Sequence, residues 1–408
     1  MAKTIVLVGA LDTKGPDYAF VKAEIERRGH RALVVDTSVT GVPGFEADVP
    51  AAEVAEAGGS SLDELRAKAD RGFAMEVMTR GVAVVARRLY DEGKLHGILA
   101  LGGSAGAAMG TSAMRALPIG VPKVMVTTVA SGDTKPYVGT RDVVMFPSVV
   151  DVAGVNRISA RLYANAVGAM VGMVETEPPS VAVKPLIAAT MFGNTTPAVE
   201  RAKAIFEERG YEVLVFHATG TGGRTMEDLI ADGFFEGVAD ITTTEWADEL
   251  VGGVLTAGPT RLEAAAKAGI PQVIVPGCLD MVNFWAPETV PEKFKDRRFY
   301  RWNPNVTLMR TTPEENAELG RILAEKANAS TGPVAFYLPL KGVSMLDAPG
   351  KEFWWPEADE ALFSAIKRHL RPDIPVHELD LNINDPAFAE AVAAGLLEFL
   401  GSRAAAAT

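Results

Sequence analysis

Short runs of apolar, β-branched residues alternate along most of the chain with longer stretches of mixed polarity. Ile5–Val8 and Ala32–Val35 are the first two of these runs, with Pro16 between them. Continuous apolar runs of this length are typical of strands buried on both faces, and Pro is favoured in the first turn of a helix. The pattern therefore predicts two strands, a turn over Leu11–Pro16 and a helix from Pro16 to about Arg28.

The same order of elements recurs in the second half of the chain. Leu186–Ala189 and Val213–Phe216 correspond to the first two strands. Two more strand starts correspond in order, His96–Leu101 with Glu236–Ile241 and Val121–Val126 with Ile270–Val275. Strand–helix alternation predicts a parallel sheet with helices on both faces. We therefore expect an α/β chain of two halves related by internal duplication, with domains at 1–178 and 182–408.

Composition limits the class of protein. With 408 residues, 48% hydrophobic and 23% charged, the chain is expected to be globular with two domains. The net charge of −12 argues against a nucleic-acid partner. The single cysteine excludes an intramolecular disulfide and fits a reducing compartment. The absence of a signal sequence or a long apolar run predicts a soluble, cytoplasmic protein without a membrane partner.

A glycine-rich loop, Gly102–Gly106, follows the apolar run Gly97–Leu101 and precedes a predicted helix. Small residues let backbone N–H groups approach a ligand, and the first N–H groups of a helix are unpaired, so such a place suits a phosphate. A plain strand–helix turn with glycines for packing is the alternative. The corresponding turn of the second half, Thr242–Glu245, contains no glycine. Because the chain turns there without glycine, we favour phosphate binding at Gly102–Gly106.

Other polar residues follow the predicted strands of the first half, where ligands of parallel sheets bind. Thr127–Asp133 offers hydroxyls, a glycine and a carboxylate, and Lys14 could contact a phosphate. Carboxylates suit Mg²⁺ or a ribose hydroxyl, so Asp12 and Asp133 are candidate metal ligands, with an Asx turn or helix cap as the alternative for both. The candidate cofactor-binding residues are Asp12, Thr13, Lys14, Gly102, Gly103, Ser104, Gly106, Thr128, Ser131, Gly132 and Asp133.

In the second half, His217–Arg224 is an unusual stretch with three glycines between a base and a cation. Arg224 could bind a carboxylate or phosphate, and His217 could act as an acid or base; a surface loop before a capped helix is the alternative. The candidate substrate-binding residues are Asn194, Thr195, His217, Gly222, Gly223 and Arg224, and the candidate catalytic residues are His217, Arg224 and Asp280. Cys278 is expected to be a buried hydrophobe. Val149–Met173 is expected to be helical.

Several motifs occur in a fixed order: LDTKG at 11–15, GGSAG at 102–106, TTVASGD at 127–133, HATGTGGRTME at 217–227, CLDMVNF at 278–284 and NINDPAF at 382–388. With these motifs the chain resembles, over essentially its whole length, the Tm-one-like ATP-binding domain family. This uncharacterised family includes the inhibitory region of the tomato mosaic virus resistance protein. The resemblance implies two Rossmann-like subdomains, binding of ATP and Mg²⁺, and a homodimer or higher oligomer.

Two positions depart from the family's pattern: Trp302 and Asn382 stand where that pattern has histidines. Together with the motifs, the resemblance predicts an ATP-binding metabolic enzyme that acts on a small anionic substrate in the cleft between its halves. A non-catalytic ATP-dependent sensor or inhibitor that acts through a protein partner is the first alternative. A two-lobed small-molecule binding module is the second.

Overall fold

The structure, a computed structural model, describes residues 2–181 and 183–406. The chain divides into two compact units, unit 1 over residues 1–181 and unit 2 over residues 182–408. Within the described residues, no helix combines the length and the apolar character that crossing a membrane requires.

Unit 1 is built on one parallel five-stranded sheet. Its strands are β1 (Thr4–Gly9), β2 (Arg31–Asp36), β3 (Gly97–Gly102), β4 (Lys123–Thr127) and β5 (Val144–Pro147). Its helices are α1 (Leu11–Arg27), α2 (Ala51–Ala57), α3 (Leu62–Lys68), α4 (Arg71–Asp91), α5 (Ser104–Arg115), α6 (Lys135–Val138) and α7 (Arg157–Glu175). The strand order is β2-β1-β3-β4-β5. The order reverses between β1 and β3, the kind of place where open parallel sheets bind ligands.

Both faces of this sheet are covered by helices. One apolar core lies under α2, α4 and α5 and includes Val54, Val82 and Met114. The other lies under α1 and α7 and includes Val21 and Val167. Because β1 to β4 are buried on both sides, their sequences are almost continuously apolar instead of alternating.

Unit 2 contains a six-stranded parallel sheet and a separate three-stranded sheet. Its strands are β6 (Leu186–Met191), β7 (Glu212–His217), β8 (Gly237–Thr242), β9 (Gln272–Gly277), β10 (Met281–Phe284), β11 (Phe299–Asn303), β12 (Val306–Arg310), β13 (Val334–Pro339) and β14 (Val376–Leu379). Its helices are α8 (Thr196–Glu208), α9 (Thr221–Ala231), α10 (Glu245–Val251), α11 (Ala264–Ala268), α12 (Pro313–Asn328), α13 (Pro356–His369) and α14 (Pro386–Ala406). The antiparallel sheet has the order β10-β12-β11.

The larger sheet of unit 2 repeats the arrangement of unit 1. Its order is β7-β6-β8-β9-β13-β14, so the second strand again lies outside the first, and the third and fourth follow on the other side. Helices cover both faces here as well, with Phe206 and Val392 in one core and Leu323 and Leu362 in another. The predicted α/β fold of two mostly parallel sheets flanked by helices is confirmed, and the shared strand order is what an internal duplication produces.

Two predicted boundaries are wrong. Leu11–Pro16 is not a turn but the start of α1, because Asp36 Oδ1 accepts the N–H of Leu11 at 3.1 Å and Ser38 Oγ accepts that of Asp12 at 3.0 Å. The helix predicted over Val149–Met173 begins only at Arg157, since Val149 and Gly154 have φ of 62° and 94°, outside the right-handed helical region. At the carboxyl terminus, residues 403–406 are helical, and 407–408 lie outside the described residues.

Candidate functional site

A cavity of about 390 Å³ opens in unit 1 at the carboxyl ends of β1, β2 and β3. It is lined by Gly9, Ala10, Thr13, Lys14, Thr37, Arg71, Met75, Leu101, Gly102, Gly103, Ser104, Ala105, Gly106, Met109 and Asp151. This is the point where the strand order reverses, and the volume falls in the range of small-molecule pockets. The fold therefore places the glycine-rich loop in a cavity at the ligand-binding edge of the sheet.

The amino terminus of α5 faces this cavity with unpaired backbone donors. The first bond of the helix runs from Ala107 N–H to Gly103 O at 2.8 Å. Ser104, Ala105 and Gly106 have no acceptor for their amides among the described residues, and Gly103 as N-cap supplies no side chain. These amides and the positive end of the helix dipole favour an anion.

The glycines of the loop have different physical reasons to be glycine. A Cβ on Gly102 would lie 2.8 Å from Gly106 Cα, and one on Gly106 would lie 3.1 Å from Leu101 O, so both are needed for close packing of α5 on β3. A Cβ on Gly103 would meet only Thr128 Oγ1, at 3.8 Å. Its φ of −75° is also open to any residue. The packing alternative therefore accounts for Gly102 and Gly106 but not for Gly103, whose missing side chain leaves room beside the free amides.

Two cations line the cavity. Lys14 Nζ donates to the carbonyl oxygen of Val152. Arg71 is the first residue of α4, and its exposed side chain has no hydrogen bond or ion pair within the described part of the chain. Sequence reasoning missed Arg71 because it follows a helix cap, Asp70, and not a strand.

A hydroxyl lines the far side of the cavity. It belongs to Thr37, just after β2, a residue that is 5% exposed, and it forms no hydrogen bond among the described residues. The neighbouring carboxylate of Asp36 already has partners within the protein, because its Oδ1 accepts hydrogen bonds from the amides of Leu11 and Ser38 and from Ser38 Oγ. The hydroxyl is therefore available to a ligand that reaches across from α5.

The structure brings only part of the predicted cofactor-binding set to this cavity. The predicted residues that line it are Thr13, Lys14, Gly102, Gly103, Ser104 and Gly106. The predicted residues outside its lining are Asp12, Thr128, Ser131, Gly132 and Asp133. Thr128 and Ser131 lie in a 3-10 turn after β4.

The two candidate metal ligands have structural partners. Asp12 Oδ2 accepts the amide of Gly41 at 3.0 Å, while its Oδ1 is buried without a partner. Asp133 Oδ1 accepts the amide of Lys135 at 3.1 Å, which is the Asx-turn alternative. Among the described residues, no group of three or more His, Cys, Asp or Glu side chains could hold a metal ion. The carboxylate that does line the cavity is Asp151.

In unit 2, a helix amino terminus at the same edge of the sheet is filled by the protein's own carboxylate. Glu245 Oε1 accepts the amides of Gly220 and Gly223 at 2.7 and 3.1 Å, at the start of α9. Its Oε2 accepts from Arg261 Nε at 2.8 Å, and Arg261 also pairs with Asp240. A Cβ on Gly223 would lie 2.0 Å from Glu245 Oε2. The glycine there accommodates Glu245 and not an external ligand.

The predicted substrate-binding residues of unit 2 divide into exposed and buried groups. His217, at the end of β7, and Arg224, in the first turn of α9, are exposed. Asn194 and Thr195 are fully buried, with Thr195 Oγ1 2.7 Å from Thr242 Oγ1. Gly222 is packed too, because a Cβ there would lie 1.9 Å from the carbonyl oxygen of His217. Within the described part of the chain, the three catalytic candidates, including the fully buried Asp280, form no hydrogen bond with one another.

Asp280 belongs to a buried acidic cluster in unit 2. Ser344 Oγ donates to Asp280 Oδ2 at 2.8 Å, and Arg310 Nη2 pairs with Asp359 at 2.7 Å and with Asp347 at 3.5 Å. Burial, and next the charge of Asp347, raises the pKa of Asp280 to about 7. The same two causes raise the pKa of Asp359 to about 8. One guanidinium faces three carboxyl groups, so the cluster retains protons near neutral pH.

Cys278 and the two departures from the family's pattern have local roles. Cys278 is fully buried, and desolvation raises the pKa of its thiol well above the usual range, so it is not a poised nucleophile. Asn382 Nδ2 donates to several carbonyl oxygens of the 341–347 loop, that of Lys341 at 3.0 Å among them. Trp302 is 41% exposed and its ring lies beside Tyr300.

Comparison with known proteins matches both halves of the chain to family models. Residues 3–179 match the N-terminal domain of an uncharacterised protein family, UPF0261, and residues 184–400 match its C-terminal domain. A UPF0261 protein of Clostridium tetani is 52% identical over 98% of this chain and 100% of its own length. The ToMV resistance protein Tm-1(GCR237) of Solanum lycopersicum is 45% identical over 80% of this chain and 45% of its own length.

Solved structures give only distant matches. A putative UDP-N-acetylglucosamine 2-epimerase from Listeria monocytogenes is 9% identical, covers 67% of this chain and 79% of its own, and has a TM-score of 0.24. The MurG of Acinetobacter baumannii is 12% identical, covers 97% and 99%, and has a TM-score of 0.22. At these TM-scores neither structure bears on the function of this chain.

Proposed function

The chain belongs to the uncharacterised protein family UPF0261, as its motifs predicted, and we propose that unit 1 binds ATP through its phosphate groups. The observation that carries this proposal is the start of α5. Three unpaired amides, at Ser104, Ala105 and Gly106, face a cavity beside Gly103, a glycine that packing does not require. Open parallel sheets bind phosphates at such a place.

The other groups in the cavity fit a phosphorylated ligand. Lys14 and Arg71 supply positive charge, and the hydroxyl of Thr37 can donate or accept. Mg²⁺ would enter with the nucleotide, because this ion is commonly held by one or two carboxylates and the phosphates themselves. Asp151 is the lining carboxylate that could hold it there.

We further propose that ATP serves an enzyme reaction on a small anionic substrate. A second candidate function is a non-catalytic, ATP-dependent sensor or inhibitor that acts through a protein partner. The observation that favours it is that Asp280 is fully buried, whereas His217 and Arg224 are exposed. Phosphate release measured alongside ATP binding separates the two, since a sensor binds ATP without steady turnover.

Calorimetric titration of the full chain with ATP and Mg²⁺ tests the binding site. We expect one ATP per chain, and at least a tenfold weaker affinity in Gly103→Val, whose side chain would fill the space beside the free amides. Gly172→Val is the matched control, because Gly172 is exposed on α7 and a Cβ there meets nothing within 4 Å. Absence of binding by the wild type, or unchanged binding by Gly103→Val, would overturn the proposal.

A further inference from the structure

We infer that Arg71 determines the ligand specificity of the unit 1 cavity. Its side chain selects ligands that carry a second anionic group beside the one bound by the amides of α5. The inference rests on the proposed function and concerns the class of ligand. It predicts that nucleoside diphosphates and triphosphates bind more tightly than monophosphates because of this side chain.

The position of Arg71 on its helix is unfavourable for stability. It is the first residue of α4, and no acidic residue lies in that first turn. A cation at a helix amino terminus is repelled by the helix dipole, by roughly the amount that an anion there would gain. A residue that is placed against the dipole and has no ion pair among the described residues contributes little to folding, so its side chain is free to contact a ligand.

The other arginines of α3 and α4 show the contrast. Each of them has an acceptor within unit 1: Arg66 donates to Val39 O, Arg80 to Gly58 O, Arg87 to Asp91 and Arg88 to Glu53. Arg71 has none among the described residues, and it lines the cavity together with Met75, one turn further along α4. Residues four apart share a helix face, so the face that carries Arg71 is the face toward the cavity.

The cavity is wider than one phosphate. It extends over the ends of three adjacent strands, a width of about 10 Å at the usual strand spacing. The α5 amides account for one anionic group at the β3 end. Thr37, a residue that is 5% exposed, lines the cavity at the β2 end, and its hydroxyl forms no hydrogen bond among the described residues, so a polar group of a ligand can contact it there. Lys14 Nζ donates a hydrogen bond to Val152 O, so among the described lining residues Arg71 is the cation without a hydrogen bond or ion pair.

The test compares AMP, ADP and pyrophosphate by calorimetry on the full chain, in the wild type, Arg71→Ala, Arg71→Lys and Arg87→Ala. Arg87 is the matched control, an exposed arginine on the same helix whose partner is Asp91. We expect the wild type to bind ADP at least about tenfold more tightly than AMP, the usual worth of a charge-assisted contact. Arg71→Ala should reduce that ratio to about threefold or less with AMP affinity nearly unchanged, and Arg71→Lys should restore part of it.

An unchanged ADP-to-AMP ratio in Arg71→Ala, or an equal loss for both nucleotides, would overturn the inference. If binding in that case still depends on Gly103, the proposed function stands and only the role of Arg71 fails. If no anion binds the wild type, or Gly103→Val binds normally, the proposed function fails as well. Unchanged thermal melting of Arg71→Ala verifies that the variant is folded.

Discussion

Replacement of Glu245 tests whether its carboxylate stabilises unit 2 by accepting the amides at the amino terminus of α9. The carboxylate is buried and bonded to two backbone amides and to Arg261. In Glu245→Ala the amides of Gly220 and Gly223 lose their acceptor. Arg261 remains paired through Asp240 and Glu227.

The expected cost follows from these contacts. A buried donor left without an acceptor costs about 1–3 kcal/mol, and breaking a buried ion pair by removing one partner costs about 3–5 kcal/mol. Because these costs overlap, we expect Glu245→Ala to lower the free energy of unfolding of unit 2 by about 3–5 kcal/mol. Glu245→Gln keeps one amide-accepting oxygen but turns an NH₂ group toward Arg261, so we expect about half of that loss.

The assay is tryptophan fluorescence during urea unfolding, because the tryptophans are unequally distributed between the two units. All five tryptophans, at 246, 285, 302, 354 and 355, lie in unit 2. Tryptophan fluorescence during urea unfolding therefore reports on unit 2 alone. A loss below about 1 kcal/mol in Glu245→Ala would show that the helix end is satisfied without the carboxylate. A Glu245→Gln variant as stable as the wild type would show that shape, and not charge, fills the site.

Two further predictions concern stability. Burial raises the pKa of Asp248 to about 7. Between about pH 4 and pH 7 this carboxyl group is therefore ionised in the unfolded chain but protonated in folded unit 2, so the free energy of unfolding falls by about 1.4 kcal/mol per pH unit. Asp248→Asn should lower the slope measured by urea unfolding by that amount, while Asp280 and Asp359, whose pKa values are also raised, keep their contributions. The Asn283 amide can turn so that its unpartnered Oδ1 accepts from the new amide; parallel wild-type and variant curves would contradict this. Gly102→Ala should destabilise unit 1 by about 1–3 kcal/mol because of the contact with Gly106, whereas Gly103→Ala should not; equal hydrogen-exchange protection in both variants would refute the distinction.

Much of the fold could be predicted from local pattern. Buried parallel strands have uninterrupted apolar sequences, and the repeated order of four strands led to the correct two-sheet architecture. Helix starts were less predictable, because they depend on contacts distant in sequence. Leu11 begins α1 only because Asp36, at the end of the next strand, caps its amide. The residues around Pro16 do not indicate this contact, so the start of α1 could not be predicted from them.

The candidate site was predictable only where a single loop forms it. Gly102–Gly106 was visible because the glycines are contiguous and end a strand. Arg71 enters the cavity from the start of a helix, 31 positions before Gly102, and no strand-end rule finds it. His217–Arg224 showed the opposite case. Its glycines match a ligand loop in sequence, but in the structure two of them accommodate Glu245 and the carbonyl oxygen of His217.

The central claim is that a nucleotide phosphate binds at the start of α5 in unit 1. A crystal structure of the full chain grown with ATP and Mg²⁺ tests it most directly. The account predicts electron density for a phosphate within hydrogen-bond distance of the Ser104, Ala105 and Gly106 amides, and none at the start of α9, where Glu245 lies. ATP bound elsewhere with these three amides unliganded would contradict it.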